Sequence, residues 1–154
     1  MTIDRDLVTR KLLLITRDLE ALRGIAAAGV DVYLQSRVDQ AVVERYLEQT
    51  IGRMIDINYH IITEGGHPPP PDYHASFRML GELKIVEPEF ATRIARCAGL
   101  RNRLVHEYND IDPRKIFESL QAGLEDIAAY LVKIETYAGS SAADDRHEEH
   151  KDDF

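Results

Sequence analysis

The stretch Pro113-Arg114-Lys115-Ile116-Phe117-Glu118-Ser119-Leu120-Gln121-Ala122-Gly123-Leu124-Glu125-Asp126-Ile127-Ala128-Ala129-Tyr130-Leu131-Val132-Lys133-Ile134 decides the fold class. Ile116, Leu120, Leu124, Ile127, Leu131 and Ile134 recur at steps of four and three. That period puts them on one face of an α-helix, with charged residues on the other. Pro113 fits the first turn of such a helix, and Asp112 before it is a suitable cap. After Tyr137 the periodicity stops.

Working back from there, the same spacing recurs. Val8, Leu12, Ile15, Leu19 and Leu22 predict a first helix over about Asp4 to Ala28. Leu47, Ile51, Met54, Asn58 and Ile61 predict a second, starting near Ser36 or Asp39, reaching Thr63 and stopped by Gly65 and Gly66. Pro68 to Pro71 cannot be helical and predict a stiff polyproline connection. A short third helix is expected over Tyr73 to Lys84, burying Phe77 and Leu80. A fourth should open at Pro88, with Phe90, Ile94, Cys97 and Leu104 as its inner face. No strand pattern competes with these. The expected fold is all-α: an antiparallel bundle of about five helices, over residues 1–138. Residues 139–154 carry six acids against two bases and predict an acidic, disordered tail.

The 154 residues are 44% hydrophobic, enough for one domain with one core. The single cysteine, Cys97, excludes an intrachain disulfide. No apolar run has the length of a membrane span, and Asp4, Arg5 and Asp6 do not have the order of a signal peptide. A cytoplasmic location is therefore expected. The formal net charge of −8 argues against a generally basic nucleic-acid binder. The charge is uneven, however: Arg93 to Lys115 holds six bases against three acids. A local basic cleft on an acidic body can still hold RNA.

That basic stretch contains Arg101-Asn102-Arg103-Leu104-Val105-His106-Glu107-Tyr108, the pattern R-x-x-x-x-H-x-Y. An arginine offers a permanently charged fork for a phosphate, and a histidine moves protons near neutrality. Arg101 falls where the helical register calls for an apolar residue. A guanidinium there needs either an internal acceptor or a cleft open to an anionic ligand. Asn102 and His106 are four apart on one helix face, so the amide can orient the imidazole. Arg103, three before His106, is also within reach. Gln49, Arg53, Asp56 and His60 form a polar stripe on the second helix, read either as a solvated face or with Asp56 meeting Arg101 or Arg103. Asp56 and His60 are too few for a metal site, and His147 and His150 have no scaffold, so no metal ligand and no cofactor are expected.

The motif and its surroundings resemble the HepT-like ribonuclease toxins of the HEPN superfamily. The resemblance rests on Arg53 to Ile62, on Pro71-Asp72-Tyr73 through Leu80-Gly81, and on Gly99 to Asp112, and it covers about residues 4 to 137. It implies a homodimer in which the Arg and His motifs of both subunits line a shared cleft. It implies the toxin of a type VII-like toxin–antitoxin pair, a metal-independent endoribonuclease that leaves 2′,3′-cyclic phosphate. Arg101 and His106 would be catalytic, with Asn102 positioning. The implied partner is a MntA-like nucleotidyltransferase antitoxin that transfers AMP to Tyr108. An alternative from another class is a non-catalytic helical adaptor for such a nucleotidyltransferase. A third is a nucleotide-phosphate-binding domain using Arg101 and Arg103.

Overall fold

The Asp4 carboxylate accepts the N–H of Leu7 at 3.0 Å and so opens the first helix, α1 (Arg5–Ala27). Its buried face is Val8, Ile15, Asp18, Leu19 and Leu22; Leu12 is half-buried beside it. In this computed structural model, residues 3–106 and 111–149 are described. Gly29, at φ 95°, turns the chain into α2 (Val30–Gln35). Ser36 then caps α3 (Arg37–Glu64), its hydroxyl accepting the N–H of Asp39 at 3.1 Å. After Gly65 and Gly66 come the prolines, where the Tyr59 hydroxyl donates to the Pro70 carbonyl at 3.1 Å. Asp72 caps α4 (Tyr73–Glu82), accepting the N–H of Ala75 at 2.7 Å. Then follow α5 (Pro88–Ile94), α6 (Arg96–His106) and α7 (Pro113–Glu149). As the sequence predicts, Asp112 precedes α7 as its cap, accepting the N–H of Arg114 at 3.0 Å.

The all-α expectation holds, with seven helices among the described residues in place of about five. Two differences account for this. The six residues of α2 are too few to display a period, though Tyr33 is buried from it onto Phe117, ring centroids 5.1 Å apart. The expected fourth helix is divided at Ala95. There the N–H of Ala98 reaches back only to the Ala95 carbonyl, a three-residue step that tightens and turns the chain. The turn lets α5 pack on α4 while α6 lies against α3.

A third difference concerns the end of the chain. The tail expected to be disordered from Gly139 is helical through Glu149, as a continuation of α7. Extending a formed helix adds one hydrogen bond per residue fixed, and Ala142, Ala143, Glu148 and Glu149 are residue types that favour helix without any apolar period.

The core is built around α3, which packs on α1, α4, α6 and α7. Its register buries Leu47, Ile51, Met54 and Ile61, and also Asn58. The Asn58 amide is satisfied between α4 and α7. Its Nδ2 donates to Ser76 Oγ at 3.2 Å, and its Oδ1 accepts the Tyr130 hydroxyl at 2.6 Å. A buried polar group is tolerated when each of its atoms is paired in this way, and it then fixes three helices relative to one another.

Candidate active site

α6 carries Arg101 on the side facing α3. There it meets Gly52, the single glycine of α3; a Cβ placed at Gly52 would stand 3.7 Å from Arg101 Nε. The guanidinium lies over the ring of Tyr73 at the start of α4, with Cζ 5.0 Å from the ring centroid. Among the described residues, Arg101 Nε is buried without a hydrogen-bond partner. Arg101 lines a cavity of about 390 Å³ together with Lys11, Gly52, Arg53, Asp56 and Tyr73, with Glu48 and Gln49 also on its wall.

The charges of this cavity are sorted by α1. Asp18, only 1% exposed, holds Arg53 through Nη1 at 2.7 Å and Arg17 through Nε at 3.1 Å. Lys11 Nζ pairs with Asp56 Oδ2 at 3.2 Å. Glu48 pairs with Arg45 at 3.7 Å. Among the described residues, Arg101 forms no ion pair. Asp56, expected against Arg101 or Arg103, therefore has Lys11 as its partner, although it lines the same cavity as Arg101. His60, on the same stripe, accepts the backbone N–H of Asp4 at 3.0 Å and fastens the start of α1 to α3.

The other residues of the motif are distributed around α6 by its 100° step. Arg101 and Arg103 are two apart and point to opposite sides. Arg103 lines a different groove, between α6 and α7. Asn102 and His106 are exposed, on the outer face between the two arginines. Leu100 and Leu104 are buried and turn the remaining face to the core. The structure thus gathers Arg101 and Asp56 into one cavity, leaves Asn102 and His106 on the outer face of α6, and separates Arg103. The expectation for Tyr108 lies outside the described residues.

Sequence reasoning missed Lys11, Asp18 and Tyr73. The signal for the first two was present: Lys11, Ile15, Asp18 and Leu22 follow the steps of four and three that define the inner face of α1. Two opposite charges seven apart on that face match Asp56 and Arg53, three apart and of reversed sign, on α3. Tyr73 had no such signal, because its contact with Arg101 depends on where the proline connection delivers α4.

Around the site, the Tyr59 hydroxyl has its pKa raised by burial and by the neighbouring Tyr73 and Asp72. It is therefore kept as a neutral donor to Pro70. Tyr59 also meets Tyr73 edge to face, ring centroids 6.4 Å apart, so the polyproline connection and the ring over Arg101 are braced by one side chain.

The profile of the family "Ribonuclease HepT-like" matches residues 15–134. A tRNA nuclease HepT from Aphanizomenon flos-aquae (strain 2012/KM1/D3) is 37% identical over 131 residues, covering 85% of this chain and 89% of the relative. Among solved structures, a tri-AMPylated Shewanella oneidensis HEPN toxin in complex with MNT antitoxin superposes with a TM-score of 0.78 at 23% identity, covering 86% of this chain and 98% of its own. A toxin–antitoxin crystal structure with AMP-PNP gives a TM-score of 0.78 at 22% identity, covering 86% and 99%. The helical fold is shared with both. The family match spans α1 to α7 and includes every described residue of the Arg101 cavity except Lys11. The chain belongs to the HepT-like ribonuclease family.

Proposed function

We propose that this protein is a metal-independent endoribonuclease toxin whose catalytic groups are Arg101 and His106, acting as a homodimer. One observation carries the reading. Arg101 sits partly buried in a cavity whose other cations, Lys11 and Arg53, are each held by a carboxylate, while its own Nε is buried and has no partner among the described residues. A buried guanidinium without an internal acceptor is costly, and an incoming phosphate supplies the missing acceptor.

The chemistry follows from the groups. The ribose 2′-oxygen attacks phosphorus and the 5′-oxygen leaves, giving a 2′,3′-cyclic phosphate and a 5′-hydroxyl. His106 takes the 2′-hydroxyl proton, and Asn102, four residues before it, orients the ring. The leaving 5′-oxygen takes a proton from a second acid, a role open to the other copy of the motif in a homodimer. Arg101 bears the charge that develops on the phosphorane oxygens. Transfer RNA is the first substrate class to try, because the relative named a tRNA nuclease matches most of this chain. Neutralisation by a MntA-like nucleotidyltransferase antitoxin, through transfer of AMP from ATP to Tyr108, completes the proposal. An AMP group on Tyr108, seven residues after Arg101, brings a competing phosphate to the RNA site.

The deciding experiment is cleavage of tRNA by the purified, unmodified protein in EDTA, run beside His106→Ala. Cleavage by the wild type alone, with cyclic-phosphate ends, is the expected result. Equal cleavage by His106→Ala removes the proton-transfer role, and loss of wild-type activity in EDTA removes metal independence. For the modification, Tyr108→Phe co-expressed with the nucleotidyltransferase should gain no AMP mass. A gain would place the acceptor elsewhere.

A further inference from the structure

The face of α6 opposite Arg101 opens on a second and larger groove, of about 670 Å³, between α6 and α7. Arg96, Arg103 and Lys115 line it, all exposed, and none forms an ion pair among the described residues. Its fourth cation, Arg93, is held by Asp126 at 3.0 Å. Of its other carboxylates, Asp112 is occupied as the cap of α7, which leaves Glu118 against three cations. The floor is apolar, with Leu100, Ile111 and Ile116. Cations on a rim above an apolar floor match a nucleotide, whose phosphate is anionic and whose base has an apolar face.

The order of residues around α6 connects this groove to the catalytic cavity. At 100° per residue, with Arg101 at the origin, Asn102 comes next, then His106, then Arg103. Leu100, Leu104 and Cys97 fill the remaining arc and are buried. A strand laid over the outer face of α6 from the Arg101 cavity therefore passes His106 before it reaches Arg103 and the groove.

We infer that this groove is a subsite for a nucleotide flanking the scissile phosphate of single-stranded RNA. Its base lies on the Leu100, Ile111 and Ile116 floor, and its phosphate lies against Arg96, Arg103 and Lys115. The inference rests on the ribonuclease reading above and adds a second binding region to it. A minimal substrate fills only the Arg101 side. A longer strand also fills the groove and gains affinity.

The test compares a ribodinucleotide with a longer single-stranded oligoribonucleotide, using wild type, the double variant Arg96→Ala/Lys115→Ala, and the charge-preserving Arg96→Lys/Lys115→Arg. For the alanine variant, kcat/KM on the oligonucleotide is expected to fall about tenfold more than on the dinucleotide, mainly through KM. The log–log salt slope of oligonucleotide binding, measured on a His106→Ala background, should drop by about 0.7 for each phosphate of the single strand that is no longer neutralised. The charge-preserving variant should restore most of both. An equal fall on the two substrates, or a wild type that gains nothing from the longer strand, overturns the subsite and leaves the ribonuclease reading standing. A wild type that neither binds nor cuts either RNA overturns both. Both positions are exposed, so an unchanged thermal midpoint separates weakened binding from weakened folding.

Discussion

Arg101 reaches α3 at the single position where that helix has no side chain to meet it. Gly52 costs α3 about 1 kcal/mol of helix propensity relative to alanine. A methyl group at that position would be in ordinary van der Waals contact with Arg101 Nε, at 3.7 Å. Gly52→Ala should therefore fold at least as well as wild type and keep most of its activity. Gly52→Leu places a branched side chain in the cavity itself, where the phosphate is proposed to bind. Cleavage should fall by more than about tenfold, equivalent to removing one charge-assisted hydrogen bond of about 1.4 kcal/mol or more, with the thermal midpoint little changed. Calorimetry and RNA cleavage measure the two effects separately. A Gly52→Leu variant that cuts RNA like wild type would mean that the cavity is not where the phosphate sits. At this scale the sequence was partly legible. Arg101 stood out because it broke an apolar register, and the structure finds it partly buried. The partner assigned to Asp56 was not legible, because α1 brings Lys11 to that place and periodicity gives faces of helices, not which charge meets which. Tyr73 was illegible for a related reason: an aromatic residue at a helix start reads as ordinary packing until its neighbour is known.

Among the elements, the starts of those with several turns of apolar period were readable within one or two residues, whereas the end of α7 was not, because its last turns carry no apolar period. α1 starts at Arg5, α3 at Arg37 after its Ser36 cap, and α7 at Pro113 after Asp112. α2 and the break between α5 and α6 were not, because neither is written in local propensity. The break follows from what each half packs against, and Gly81 makes that dependence testable. Gly81 is buried in the last turn of α4, where a Cβ would stand 2.7 Å from Ala91 Cβ and 3.1 Å from Pro88 Cα on α5. The second contact is with backbone and cannot move aside by a rotamer change. Gly81→Ala gains about 1 kcal/mol of helix propensity but must separate α4 from α5, an overpacking cost of about 1–3 kcal/mol. A net loss in urea unfolding is expected, accompanied by weaker RNA cleavage, since α4 also delivers Tyr73 to Arg101. Unchanged or increased stability would show that α5 is free to slide on α4, and the Ala95 turn would then need another cause.

The molecule as a whole carries net negative charge and sets seven of its 19 lysines and arginines in two depressions on either side of α6. Its core also contains buried titratable groups, of which Cys97 borders the groove between α6 and α7. Cys97 lies on the inner side of α6, and its thiol is pushed up from 9.0 to about 12 by burial first and then by Asp126. Tyr33, under α7, is raised to about 12 by burial, with Glu44 and Asp39 adding to it. Tyr130, at the centre of the Asn58 network, is raised well above 10.0 by burial, with a further contribution from Cys97. Each group has a higher pKa in the folded state than in the unfolded one. Below the unfolded-state values, 9.0 for the thiol and 10.0 for the phenols, all three are neutral in both states and titration leaves stability unaffected. Above about pH 9 the unfolded chain loses the Cys97 proton while the folded one retains it, so stability falls as the pH rises towards 12, with the tyrosines adding to the fall above about pH 10. Urea midpoints should accordingly be flat across neutral pH and decline from about pH 9. In Cys97→Ala, which removes a small buried side chain and one of the three groups, the decline should begin about one unit later, where the tyrosines first ionise. If both proteins instead decline together from below about pH 9, the loss comes from surface repulsion on the acidic body. The midpoint should then recover in high salt, which screens exposed charges and leaves buried ionisation almost untouched.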